Sequence, residues 1–68
     1  MLNEADRVYV GDALNDSLCV SINGDEFEAV PRLVCIGFGD AKAGDEFMAE
    51  VSRGIDGSIK SIINLASM

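Results

Sequence analysis

The chain of 68 residues contains no histidine and no tryptophan, and it has only two cysteines, Cys19 and Cys35. Two cysteines are too few for the disulfide framework that stabilises many very small domains. Without histidine, the commonest zinc ligand is absent, and a cysteine–histidine nucleophile pair cannot form. We therefore expect no metal site, no bound cofactor and no catalytic residue, and we expect that the protein is not an enzyme.

Positive charge is also scarce, because five Lys and Arg stand against twelve Asp and Glu, which gives a formal net charge of −7. Binding to nucleic acid rests on Lys and Arg that neutralise phosphates, and anionic membranes attract the same residues. We therefore expect neither direct nucleic-acid binding nor membrane binding. The longest uncharged apolar run, residues 33–38, is too short to span a bilayer, and the N-terminal sequence lacks the apolar core of a signal peptide. These features predict a cytoplasmic protein.

What the chain does contain is apolar surface, since 49% of its residues are hydrophobic. A domain of this length buries only about 60% of the surface that its unfolded chain exposes, so its core alone gives marginal stability. We therefore expect a single small domain, residues 1–68, that gains further stability by forming a homo-oligomer.

Residues 17–30 carry the clearest local pattern, which predicts a β-hairpin. The dipeptide Asn23-Gly24 favours a type I′ turn, in which both central residues have positive φ. A two-residue loop there places Val20 opposite Phe27 and predicts one inward face, made of Leu18, Val20, Ile22, Phe27 and Ala29.

The neighbouring segments predict further short strands. Residues 7–12 form a first strand, and Pro31 belongs at a sheet edge or a bulge, because it cannot donate a ladder hydrogen bond. Residues 32–38 are continuously apolar after Arg32, which predicts a strand buried on both faces or at a subunit contact. Residues 39–45 predict a loop.

The last third of the chain admits two main interpretations. In the first, a hairpin turns at residues 56–58 and places Val51 opposite Ile63, which leaves Ile62 on the polar face. In the second, a short helix covers residues 45–53, ends at Gly54 and is followed by a strand. One long helix would have to accommodate Gly54 and Gly57, at a cost of about 1 kcal/mol each.

These elements predict a mainly β fold. The favoured architecture is a small five-stranded barrel or curled antiparallel sheet, of the SH3-like or OB-like kind. The alternative is an α+β fold, in which one short helix over residues 45–53 packs on a four-stranded antiparallel sheet.

The tetrapeptide Gly-Asp-Glu-Phe occurs twice, at residues 24–27 and 44–47. Its glycine suits a turn, and its aspartate suits the exit from a turn. Neither copy has the alternating acidic spacing of a calcium-binding loop. We therefore interpret both copies as turns, with Phe27 and Phe47 as the first inward residues of the segments that follow.

The absence of catalytic parts, together with the acidic charge, predicts a non-enzymatic interaction module whose partner is a basic, nucleic-acid-handling protein. An inhibitor of phage or mobile-element type would fit this description. The carboxylates that we expect to bind the partner are Asp25, Glu26, Glu28, Asp45, Glu46 and Glu50.

Two other functions remain open at this stage. One is a structural or assembly subunit, such as a phage particle component, with subunit contacts made by edge strands and by residues 33–38. The other is a homo-oligomer that binds or sequesters a small ligand in a pocket at the subunit interfaces, lined by arginines such as Arg7, Arg32 and Arg53.

Overall fold

The computed structural model describes residues 5–67, and in these residues the protein is a six-stranded β-sheet without an α-helix. The strands are β1 (Asp6–Ala13), β2 (Ser17–Ile22), β3 (Glu28–Pro31), β4 (Cys35–Ile36), β5 (Glu46–Arg53) and β6 (Ile59–Asn64). Short 3-10 helices follow β3 (Arg32–Val34) and β6 (Leu65–Ser67). The prediction of a mainly β fold is confirmed. The alternative helix over residues 45–53 is wrong, because this segment is strand β5.

The sheet is curled into a nearly closed barrel. Its strand order is β3-β2-β1-β5-β6-β4, and only the β4–β6 pair is parallel. In a flat sheet with strands about 4.8 Å apart, the edges β3 and β4 would lie about 24 Å from each other. The four residue steps from Pro31 to Cys35 can span at most about 14 Å. The two edges must therefore approach each other, which confirms the predicted small barrel or curled sheet.

The junction of the two edge strands differs from the prediction. Residues 29–36, which we call the seam, run from β3 through the 3-10 helix into β4. The sequence predicted a strand over residues 32–38, but only Cys35 and Ile36 are paired, and Leu33 is 93% exposed. The chain turns because Pro31 ends β3 and the Arg32 N–H donates to the Asp16 carbonyl oxygen at 3.0 Å. The sheet therefore has six strands rather than the predicted five, and the β4–β6 pair is parallel where an antiparallel sheet was predicted. Pro31 lies in an edge strand, as predicted.

The inner face of the barrel forms the core. Its largest fully buried side chains are Leu18, Ile62, Val8, Val20 and Val30. The loop between β4 and β5 contributes buried Phe38, whose ring meets Phe47 edge to face with centroids 5.0 Å apart. The predicted loop over residues 39–45 is confirmed, and it covers one end of the core.

The first hairpin has the predicted turn but a different register. Asn23 and Gly24 have φ values of 56° and 86°, and the Asp25 N–H donates to the Ile22 carbonyl oxygen at 3.0 Å, which confirms the type I′ turn. However, Val20 pairs with Glu28 rather than with Phe27. One extra residue in the segment 25–27 therefore reverses the second arm, because a one-residue slip moves every side chain to the other face.

As a result, Phe27 is 56% exposed and Ala29 is also exposed, so their predicted inward positions are wrong. Val30, which was predicted to face outward, is buried opposite Leu18. The first arm, with Leu18, Val20 and Ile22 inward, agrees with the prediction.

The second hairpin, β5–β6, shows the same type of error. It exists as predicted, but Val51 pairs with Ile62, and the register shifts between Ser52 and Arg53. Ile62 is consequently buried, although the predicted register placed it on the polar face, and Asn64 is buried as well. The buried Asn64 amide is satisfied, since its Nδ2 donates to the Gly37 carbonyl oxygen at 2.9 Å and its Oδ1 accepts from the Ala66 N–H at 3.0 Å.

Both copies of Gly-Asp-Glu-Phe begin in turns, as predicted. Gly24 and Gly44 have φ values of 86° and 93°, a conformation that glycine adopts without steric strain. The phenylalanines differ, because Phe47 packs inward against Phe38 while Phe27 lies outside the barrel. The tetrapeptide therefore specifies a turn but not the direction of the side chains after it.

Candidate interaction surfaces

The six carboxylates predicted to bind a partner do not form one group. Asp25 and Glu26 lie in the exposed segment before β3, and Glu28 begins that strand. Asp45 precedes β5, whereas Glu46 and Glu50 belong to it. These carboxylates therefore lie in three places: around the β2–β3 connection, in a cleft at one end of the barrel (Asp45), and on the outside of β5 (Glu46 and Glu50).

The outside of the barrel is best defined over β1 and β5. Tyr9 lies opposite Ser21 on one side and Glu46 on the other, and Arg7 lies opposite Met48. Directly opposite residues of an antiparallel pair share a face, and Glu50 follows in the same alternation along β5. We call this surface the outer face, which consists of Arg7, Tyr9, Phe27, Glu46, Met48 and Glu50.

Phe27 joins the outer face through its contact with Gly11. A Cβ atom added at Gly11 would lie 2.6 Å from the nearest ring carbon of Phe27, so the ring rests directly on the backbone of β1. With Met48 at 43% exposure, the outer face thus presents two large exposed apolar side chains. The sequence signal that could have located Phe27 is Gly11 itself, because a glycine inside a strand often marks a close approach by another group.

The carboxylates of the outer face are only partly neutralised. Glu46 forms an exposed ion pair with Arg7 at 3.1 Å, while no ion pair joins Glu50 to any residue between 5 and 67. Of the eleven carboxylates in that range, only Glu28 and Glu46 lie in ion pairs. The surface of the described chain is therefore strongly acidic. The outer face carries two carboxylates and one guanidinium, a net charge of −1, beside its exposed apolar groups.

Glu28 has a structural partner, Arg53. The guanidinium of Arg53 donates from Nη2 to Oε2 of Glu28 at 2.9 Å and from Nη1 to Oε1 at 3.3 Å. It also donates to the Gly57 carbonyl oxygen at 2.7 Å. The hydrogen bond from Arg53 holds the pKa of Glu28 below its ordinary value, and the same bond raises the pKa of Arg53. This pair ties β3 to the tip of the β5–β6 hairpin.

The three arginines bond to different parts of their own chain. Arg7 pairs with Glu46 and Arg53 with Glu28, while Arg32 donates from Nε to the Leu14 carbonyl oxygen at 2.6 Å. None of them lines the cleft at the end of the barrel, which has a volume of about 350 Å³. The cleft is lined by Gly37, Gly39, Asp40, Ala41, Asp45, Phe47 and Asn64.

The cleft offers limited binding chemistry. One carboxylate oxygen of Asp45 already accepts the Lys42 N–H at 3.0 Å, and the Asn64 amide is bonded within the chain. Between residues 5 and 67, no group of three or more His, Cys, Asp or Glu side chains is arranged to hold a metal ion. Asp40 and the second oxygen of Asp45 are therefore the main charged groups that a ligand would meet there.

Both cysteines are free and half-buried. The Cys35 thiol donates to the Pro31 carbonyl oxygen at 3.4 Å, and burial raises the pKa of this thiol. A raised pKa keeps the thiol protonated at neutral pH, which is the less nucleophilic form.

In the part of the chain that the structure describes, no helix has the length and apolar character needed to cross a membrane. Comparison of the chain with protein-family models, with curated proteins and with solved structures gives no match. The function is therefore inferred from the chain's own surfaces.

Proposed function

We propose that the protein is a non-enzymatic, acidic interaction module that binds a partner protein with a basic surface. The observation that supports this function best is the outer face, where exposed Phe27 and Met48 lie on the same surface as Glu46 and Glu50. Apolar contact supplies affinity, while carboxylates steer a basic partner toward the surface and reject acidic ones.

The same chemistry suggests what the partner does. Basic protein surfaces bind nucleic acid through Lys and Arg that contact phosphates. Carboxylates of the outer face would engage those same side chains, so the protein would compete with nucleic acid for its partner. In this function the module acts as an inhibitor of a nucleic-acid-handling protein, and it needs no catalytic group.

A basic amphipathic peptide of Lys and Leu is a suitable probe. We expect the protein to bind this peptide and to lose affinity as the salt concentration rises, because salt screens attraction between exposed charges. Fluorescence anisotropy of the labelled peptide at low and high salt measures the effect. An acidic peptide of the same length and leucine content should not bind.

A matched pair of charge-reversal variants tests whether the peptide binds at the outer face. Glu50→Lys on the outer face and Asp16→Lys in the β1–β2 turn change the net charge equally, so only the position of the new cation differs. Glu50→Lys should weaken peptide binding by about five-fold or more, whereas Asp16→Lys should have a smaller effect. Affinity that does not change with salt would contradict the proposed function, and equal losses in the two variants would contradict the assignment to the outer face.

A further inference from the structure

The seam carries no negative side chain of its own. Residues 29–36 contain no Asp or Glu, although the chain carries twelve of them. The only charged residue in the seam is Arg32, whose guanidinium donates to the carbonyl oxygens of Leu14 and Phe38 at 2.6 and 3.4 Å. Residues 57–68 also lack Asp and Glu, but within the described part of that stretch no large hydrophobic side chain is exposed, whereas the seam exposes two.

The seam also exposes apolar side chains. Leu33 is 93% exposed and Ile36 is 53% exposed. Their Cα atoms are three residues apart in the chain and therefore at most about 10 Å apart. Among the residues that the structure describes, β3 pairs only with β2 and β4 only with β6, so each has a side without a strand neighbour. The seam thus contains the two edge strands of the sheet and, beside them, two exposed apolar side chains.

We propose that the seam is a self-association surface, through which a second copy of the chain docks in a two-fold symmetric dimer. Two copies that each carry a charge of −7 repel each other, and the repulsion is weakest where no carboxylates meet. In a two-fold contact the same patch meets itself, so Leu33 of one copy can cover Ile36 of the other. A basic partner, by contrast, is drawn to the carboxylates elsewhere.

The hairpin tip shows why exposure of an aliphatic side chain alone does not define this surface. Ile55 is fully exposed, yet the next residue is Asp56. The Asp56 carboxylate accepts hydrogen bonds from the N–H and hydroxyl groups of Ser58 at 3.0 and 2.7 Å, which fixes a negative charge beside Ile55. Two copies that met through this tip would bring those carboxylates together.

Light scattering after size-exclusion chromatography, over a range of protein concentrations, tests the proposal. The wild-type mass should rise from that of the 7.2 kDa chain toward twice that value as the concentration increases. Leu33→Asp should raise the dimer dissociation constant about tenfold or more, because it places a carboxylate in the contact of both copies. Ile55→Asp replaces another exposed aliphatic side chain by the same charge and should change the dissociation constant much less.

Salt provides an independent readout. Self-association of two acidic chains should strengthen as salt screens their repulsion, whereas binding of the basic peptide should weaken. If Leu33→Asp does not fold by circular dichroism, Leu33→Ser tests the same contact without a charge.

Three results would overturn the proposal: a wild-type protein that stays monomeric at high concentration and high salt, equal losses in Leu33→Asp and Ile55→Asp, or a monomer whose peptide binding depends on Leu33. The last result would assign the seam to the basic partner. An intact dimer that does not bind the peptide would overturn only the proposed function.

Discussion

The outer face and the seam both expose large apolar side chains, but they differ in the charges around them. On the outer face, Phe27 and Met48 share the surface with Glu46 and Glu50. The seam exposes Leu33 and Ile36 in a stretch without a carboxylate. An exposed apolar patch therefore marks a surface that a partner can cover, while the surrounding charge selects which partner binds there.

The two surfaces also differ in how the chain builds them. The β1 and β5 part of the outer face comes from the regularly paired stretch between these two strands, in which alternate residues point outward. The seam comes from a chain that leaves the ladder at Pro31, turns through a 3-10 helix and pairs again for only two residues. Regular pairing therefore fixes the β1 and β5 part of the outer face, and an interruption of pairing produces the seam.

We expect the largest loss in the free energy of unfolding from a core substitution that destabilises both surfaces together. Leu18 is fully buried and lies opposite Ala13 and Val30, so it supports β1 and the edge strand β3 at once. Leu18→Ala should lower the free energy of unfolding by about 2–5 kcal/mol, which is a large part of the total stability of a small domain. Urea unfolding followed by circular dichroism, at a concentration where the protein is monomeric, measures this loss.

Leu33→Ala is the matched control, because it makes the same substitution at an exposed position of the seam. Its free energy of unfolding should stay within about 0.5 kcal/mol of the wild-type value, while its dimer should weaken. If the two alanine variants lost equal stability as monomers, Leu33 would belong to the core and the seam would not be a free surface.

The sequence predicts the turns of this fold better than it predicts the register of the strands that follow them. The turn at Asn23-Gly24 follows from local backbone chemistry, and the first arm of the first hairpin has the predicted inward face. The second arms of the two hairpins do not have their predicted faces. Segment 25–27 contains one residue more than the predicted turn, and the β5–β6 register shifts after Ser52. A bulge of one residue leaves little trace in composition, but it reverses every later side chain.

For the candidate surfaces too, local sequence predicts some features, while others depend on residues that are distant in the chain. Glu46 and Glu50 can be predicted as surface carboxylates from the alternation of β5, but Glu28 is engaged by Arg53, which is distant in sequence. Phe27 was predicted to be in the core because its arm was one residue out of register. The apolar run of residues 32–38 suggested a buried strand, and only the path of the chain shows that Leu33 faces solvent.

A smaller effect is expected at Glu28, which lies where the two surfaces approach each other. Glu28→Gln removes the ion pair with Arg53 and should lower the free energy of unfolding by about 0.2–1 kcal/mol at neutral pH, because the pair is partly exposed. Glu26→Gln removes the same charge at an exposed position for which no ion pair with residues 5–67 is found. It should change the stability less.

The pH dependence of this difference has a definite sign. The pKa of Glu28 is lowered in the folded protein from its ordinary value of 4.5. The contribution of Glu28 is therefore fully present above about pH 4.5 and is lost as the pH falls through the lowered pKa of the folded state. Unfolding of wild type and Glu28→Gln, compared across this range, should give a difference that shrinks on acidification; a difference that grows would contradict the ion pair.

A comparably small effect on stability is expected at Gly11, and it should separate the two surfaces most cleanly. An alanine methyl group there would come within 2.6 Å of the Phe27 ring, which is closer than van der Waals contact allows. Because the ring is terminal and half exposed, it can swing away without moving the backbone, so Gly11→Ala should change the free energy of unfolding by less than about 1 kcal/mol. Gly39→Ala meets no atom within 4 Å and serves as the control.

The consequence of Gly11→Ala should appear in binding rather than in folding. Displacing Phe27 removes half of the apolar pair on the outer face, so affinity for the basic peptide should fall, whereas the dimer at the seam should keep its dissociation constant. The ring-proton shifts of Phe27 in NMR spectra should move in Gly11→Ala and stay in place in Gly39→Ala. Unmoved shifts would mean that the ring does not rest on β1, and the outer face would then lose the apolar contact that separates specific binding from charge attraction alone.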